Sequence, residues 1–153
     1  MEKINSRKHD IPLQHWLAGT YFGLGELEKA EVLYEWLLDP KDKEAYVKYA
    51  KVLVAQKKYK KAIVVLDGLV RDYWQDYALV EFLADIYSWD KQFDNSVTYY
   101  RLLLSLELEG REKEISLKLA DTLRYAGRDE EAVEIYSQLV KGGSWWSSGC
   151  WQF

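Results

Sequence analysis

A small residue recurs four times along this chain, each time followed by a second small residue twelve positions later. The pairs are Ala18 with Ala30, Ala50 with Ala62, Ala84 with Ser96, and Ala120 with Ala132. The second members are separated by 32, 34 and 36 residues, which averages 34. A period of that length indicates a stacked repeat array, because a single unit of this size cannot bury its apolar face alone.

The residues between the small pairs predict helices. Apolar residues recur at steps of three and four, only two prolines occur, and Gly25, Pro40 and Gly127 stand at the breaks. The predicted helices are 12–24, 27–38, 43–56, 59–71, 76–90, 93–107, 112–126 and 129–140. Eight helices with short connections form four helix hairpins.

The larger residues around each small pair also keep a fixed spacing. A large residue precedes each first alanine (Leu17, Tyr49, Leu83, Leu119), and another follows four places after each second small residue (Tyr34, Leu66, Tyr100, Tyr136). This pattern resembles the tetratricopeptide repeat (TPR) family over residues 11–141, although its signature tryptophan is replaced in every repeat. The resemblance implies an all-α fold of four tandem TPR-like helix hairpins stacked as a right-handed α-solenoid.

The predicted organisation has three parts. Residues 1–10 form an N-terminal lead, residues 11–141 the array (repeats about 11–42, 43–76, 77–112 and 113–141), and residues 142–153 a linker with an aromatic tail. We expect the sequence "GGSWWSSGCWQF" to be of artificial origin, and the array, which lacks a polar capping helix, to be part of a longer one. We also expect the tail rings to pack on apolar surface and to promote self-association.

The TPR resemblance implies a concave wall built by the first helix of each hairpin, where a protein segment or helix would bind. Aromatic anchors and charges of both signs fall on that wall, a mixture that suits peptide recognition. The residues expected there are His15, Trp16, Phe22, Lys48, Lys51, Glu81, Phe82, Asp85, Trp89, Lys118, Asp121, Arg124 and Tyr125. For Trp16, Phe82 and Trp89, packing between repeats is the alternative interpretation, and for Phe82 it is the favoured one.

Other function classes find little in the sequence. The net charge of −4 argues against nucleic acid as a partner, and one cysteine excludes an intrachain disulfide. The apolar runs are too short to span a membrane. We expect no catalytic site, metal or cofactor, because His9 and His15 have no carboxylate or cysteine arranged around them. The lysines between Lys41 and Lys61 are either a solvated face or a patch that steers an acidic partner.

The stretch "LADIYSWDKQFDNSVTYYRLLL" resembles repeats of bacterial scaffolds for exopolysaccharide export or assembly. That resemblance implies a non-enzymatic scaffold that recruits a protein partner. The alternatives are a secretion chaperone and direct binding of a polysaccharide. We expect a cytoplasmic location if the chain is complete and a periplasmic one if it comes from an exported scaffold.

Overall fold

The computed structural model describes residues 10–106 and 108–142, and all regular structure within them is α-helical. The helices are α1 (Ile11–Gly23), α2 (Leu27–Leu37), α3 (Lys43–Ala55), α4 (Tyr59–Asp72), α5 (Tyr77–Trp89), α6 (Phe93–Ser105), α7 (Glu112–Tyr125) and α8 (Asp129–Lys141). Every predicted helix is present, with ends within two residues of the prediction. The predicted all-α class and the four tandem helix hairpins are confirmed.

The chain divides into two compact units between Tyr73 and Trp74. Unit 1 contains α1 to α4, and unit 2 contains α5 to α8. In unit 1, α1 pairs with α2, α3 pairs with α4, and α2 packs against α3. In unit 2, α5 pairs with α6, α7 pairs with α8, and α6 packs against α7. Each unit is therefore two hairpins joined through the second helix of the first hairpin.

The small pairs lie in the interior of their hairpins. All eight residues are between 0 and 2% exposed, so no larger side chain fits at these positions without displacing a neighbour. In unit 2 the hydroxyl of Ser96 donates a hydrogen bond of 2.9 Å to the carbonyl oxygen of Ala84, which satisfies a buried polar group. The small residues thus allow the paired helices to approach closely.

The turn inside each hairpin repeats one backbone device. The seventh residue after the first alanine has a positive φ in all four hairpins: 78° at Gly25, 59° at Lys57, 62° at Lys91 and 76° at Gly127. The N–H of the following residue donates to the carbonyl five positions earlier, for example Lys58 N–H to Leu53 O at 2.8 Å. This closure is a Schellman motif. Two of the four turns place a lysine where glycine is the less strained residue.

No helix in the described part of the chain is long and apolar enough to cross a membrane. The aromatic tail beyond Gly142 and the lead before Asp10 lie outside the described residues, and so do the predictions about them.

Candidate partner-binding surface

The predicted wall residues occupy equivalent positions in the two units when their sequences are aligned on the first alanine of each hairpin. Three places before the alanine stand His15 in unit 1 and Glu81 in unit 2, and one place after it stand Gly19 and Asp85. Lys48 and Lys118 hold the same position in the second hairpin of each unit. The two walls can therefore be compared position by position.

The wall of unit 2 is held together by its own charges. Glu81 is 6% exposed, and its two carboxylate oxygens accept from Arg111 at 2.6 Å and from Lys118 at 2.7 Å. Lys118 also donates to Asp85 at 2.9 Å, and the Tyr100 hydroxyl donates to the same carboxylate. These contacts join α5, α6 and α7 in one polar network.

The titration behaviour of this network follows from its burial. Burial raises the pKa of Tyr100, and the hydrogen bond to Asp85 raises it further. Burial alone would lower the pKa of Lys118, but hydrogen bonds to Glu81 and Asp85 raise it above its ordinary value. Lys118 is therefore a fixed cation engaged by its own unit.

The remaining predicted residues of unit 2 lie nearer solvent. Phe82 is half-buried, whereas Trp89 is 48% and Tyr125 63% exposed. The guanidinium of Arg124 lies 4.6 Å from the centre of the Tyr125 ring, and Arg124 donates to Asp121 at 3.4 Å. Asp121 also accepts from the Tyr136 hydroxyl at 2.7 Å, in the manner of Asp85 and Tyr100.

The wall of unit 1 contains a groove instead of a charge network. Its volume is about 500 Å³, and its lining residues come from α1, α2 and α3: His15, Trp16, Gly19, Thr20, Tyr34 and Lys48. Trp16 is 77% exposed, so its indole is available to a ligand. Phe22 and Lys51, also predicted for the wall, are exposed but do not line this groove.

The groove is open because two carboxylates of unit 2 have no counterpart in unit 1. His15 replaces the glutamate, and its Nε2 lies 3.7 Å from Asp42. Gly19 replaces the aspartate, and a Cβ atom there would lie 3.6 Å from the Tyr34 hydroxyl. Lys48 consequently pairs with Glu44 on its own helix, at 2.8 Å. Burial raises the pKa of Tyr34, so its hydroxyl stays protonated at neutral pH.

Unit 1 has a buried charge of its own, on the second helix and not predicted from the sequence. Glu31 is 9% exposed and accepts from Gln56 at 2.9 Å, Lys58 at 2.6 Å and Lys61 at 2.9 Å. Burial alone would raise the pKa of Glu31, but these hydrogen bonds outweigh it and lower the pKa to about 2. A signal existed: Glu31 follows Ala30, at the position where the other repeats have Ile63, Val97 and Val133.

Glu31 also binds two lysines of the lysine-rich segment, residues 41–61. Lys58 and Lys61, two of the eight lysines between Lys41 and Lys61, hold this buried carboxylate, and Lys48 pairs with Glu44.

Within residues 10–106 and 108–142, no group of three or more His, Cys, Asp or Glu could hold a metal ion.

Comparison with known proteins finds a family model that matches part of this chain. Residues 44–73 and 114–141 match the family model described as tetratricopeptide repeat. They correspond to the second and fourth predicted repeats. A search of curated proteins gave no match.

Solved structures share the TPR fold at low sequence identity. MamA from Desulfovibrio magneticus RS-1, from residue 41 to its end, has a TM-score of 0.75 and 20% identity over 88% of this chain and 76% of that one. A Podosopora anserina structure, named for a kinesin light chain with nearly identical TPR-like repeats, has a TM-score of 0.71 and 19% identity over 86% and 74%. The predicted TPR-like fold class is confirmed.

Proposed function

We propose that this TPR protein is a scaffold that binds a segment of a protein partner, and that the groove of unit 1 is its principal binding site. The observation that carries the proposal is the open groove around Lys48, with the exposed Trp16 on its wall. The TPR segments and the TPR-like fold support a role in protein–protein interaction.

The lining residues suggest the chemistry of the ligand. The Trp16 indole offers a large apolar surface, and tryptophan is enriched among the residues that dominate binding energies. Thr20, His15 and Lys48 supply a few polar groups that can orient a bound chain. The Lys48–Glu44 pair is solvent-exposed, so an acidic group of the ligand can replace Glu44 at little cost. We infer a peptide segment with an apolar side chain beside an acidic one.

The exposed residues of unit 2 are secondary contacts in this proposal. Trp89, Asp121, Arg124 and Tyr125 keep the role predicted from the sequence. Glu81, Asp85 and Lys118 act within the unit, since their charged atoms bind one another.

A random peptide library displayed on phage tests the proposal. Selection on the full chain should enrich peptides that share an apolar–acidic motif. Their dissociation constants should rise at least tenfold in Trp16→Ala. Trp36→Ala is the matched control, because Trp36 is 52% exposed but lies on α2 outside the groove. Failure to enrich peptides, or equal losses in the two variants, would contradict the proposal.

The narrower role in exopolysaccharide export stays a prediction, and none of the comparisons supports it. The same holds for a secretion-chaperone role and for direct polysaccharide binding.

A further inference from the structure

Helix α1, the first helix among the described residues, leaves exposed an apolar stripe that is buried in the equivalent helices α3 and α7. Leu13 is 67% and Leu17 44% exposed, and Thr20 on the same stripe is exposed too. The stripe continues to Leu24 at the end of α1, which is 73% exposed. On one helix these positions are three or four residues apart and therefore form one face.

The equivalent faces of α3 and α7 are covered. Between 0 and 2% of the surface is exposed at the matching positions, which are Ala45, Tyr49 and Val52 in α3 and Ile115, Leu119 and Thr122 in α7. The neighbour in both cases is the second helix of the preceding hairpin, since α3 packs on α2 and α7 packs on α6. The fold thus specifies the kind of element that fits the α1 stripe: the second helix of a hairpin.

The last helix leaves the reciprocal face exposed. Val133 is 60% and Val140 88% exposed in α8, whereas their equivalents in α6, Val97 and Leu104, are both 3% exposed. In unit 1 the residue equivalent to Val133 is Glu31, whose carboxylate reaches Gln56, Lys58 and Lys61 of the next hairpin. Within each unit, this stripe of the second helix therefore faces the following hairpin.

We propose that α1 of one copy of this chain docks on α8 of a second copy, in the arrangement that α3 has on α2 and α7 has on α6. Each chain carries both halves of a contact that it already makes once within each unit. The interface joins unlike faces, so every added copy leaves one face of each kind free.

The residues at the two faces match in chemistry. Gln56, which donates to Glu31 within unit 1, is equivalent to Leu24. A polar pair inside unit 1 thus corresponds to an apolar pair, Leu24 with Val133, between copies. Glu35, which accepts from Lys61 within unit 1, is equivalent to Ser137, and Lys61 is equivalent to Lys29. A contact between Ser137 of one copy and Lys29 of the other would therefore place no like charges next to each other.

Complementation between two blocked variants tests the proposal in the full chain. Leu13→Glu with Leu24→Glu blocks the α1 face, and Val133→Glu with Val140→Glu blocks the α8 face. Analytical ultracentrifugation of the parent should show association that continues beyond a dimer. Concentrations of roughly 10–500 µM suit the weak affinity expected for a small interface. Each blocked variant alone should sediment as a monomer. An equimolar mixture should form a heterodimer and nothing larger, because one intact face of each kind remains.

The control is Val64→Glu, at a residue of α4 that is 76% exposed, and it should associate like the parent. A monomeric parent, or a mixture that stays monomeric, overturns the proposal. The first result is expected if another segment of the chain covers these faces. A blocked variant that still dimerises alone also overturns the proposal, because it shows that identical faces pair with each other. Circular dichroism checks that helix content is kept. If a double variant loses it, Leu24→Glu and Val140→Glu alone replace the pair. This test does not depend on whether Trp16→Ala weakens peptide binding. Its outcome is therefore independent of the proposed function.

Discussion

Unit 1 and unit 2 contain the same two hairpins but bury their charge on different helices. In unit 1 the buried acid is Glu31 on α2, and Gln56, Lys58 and Lys61 hold it. In unit 2 it is Glu81 on α5, and Arg111 and Lys118 hold it. The first helices of unit 2 are thereby tied together across their wall, whereas the wall of unit 1 keeps a groove. The position of the buried charge, and not the fold, distinguishes the wall that contains a groove from the wall that does not.

The largest expected difference between the units concerns the two equivalent lysines. Lys118→Met removes the cation between Glu81 and Asp85, which leaves buried negative charge with fewer partners. We expect a loss of about 2–4 kcal/mol in the free energy of unfolding, measured by urea denaturation. The matched control, Lys48→Met, removes only a pair with an exposed glutamate on the same helix and should leave the midpoint nearly unchanged. Equal losses in both variants would show that the two walls do not differ as described.

The next effect is a pH dependence that belongs to unit 1. The pKa of Glu31 is about 2 in the folded chain against an ordinary value of 4.5, so folding favours its charged form. Its contribution is fully present above about pH 5 and is lost as the pH falls from 4.5 towards 2. The loss should be about 2–3 kcal/mol.

Hydrogen exchange of the α2–α4 amides between pH 5 and 2.5, corrected for intrinsic exchange, measures this loss in unit 1 itself. Glu31→Gln should lower the stability at pH 7 by a similar amount and flatten the pH profile. A parent and a Glu31→Gln chain with the same pH profile would contradict the assignment of this charge.

The smallest effect concerns a feature that the units share. Each unit has one hairpin turn with glycine and one with lysine at the positive-φ position. Lys57→Gly in unit 1 and Lys91→Gly in unit 2 should each raise the free energy of unfolding by about 0.5–1 kcal/mol, because glycine adopts this conformation without strain. Thermal denaturation of the two variants checks this. A gain in one unit only would show that the turns are not equivalent.

The sequence predicted the helices and their pairing because both depend on local spacing. Apolar periodicity predicted the eight helices of the described residues, and all eight residues of the small pairs are buried inside the hairpins. The same spacing predicted which positions face the wall, but it did not predict which side chains are free there. Lys118 and Lys48 hold the same repeat position. Lys118 binds the carboxylates of Glu81 and Asp85 in the preceding hairpin. His15 and Gly19, the equivalent residues in unit 1, supply no carboxylate, and Lys48 pairs with Glu44 instead.

Whether a wall residue is available depends on partners more than 30 residues away in the sequence, and repeat position alone does not identify them. Two features were missed for related reasons. Glu31 occupies a position that is apolar in the other repeats, and its burial depends on three residues of the next hairpin. The left-handed conformations of Lys57 and Lys91 follow from equivalence with Gly25 and Gly127, a comparison that needs the repeats in register.

We propose that His15 and Gly19 open the groove of unit 1 to a protein segment. The most direct test transplants the unit 2 residues by the double change His15→Glu and Gly19→Asp, which offers Lys48 and Tyr34 the carboxylates that Lys118 and Tyr100 have. Isothermal titration calorimetry would measure the affinity of a peptide selected on the parent. We expect at least a tenfold loss of affinity with no fall in melting temperature. Gly68→Asp, on α4 and away from the groove, is the control and should bind like the parent. Unchanged peptide affinity in the transplanted chain would contradict the claim.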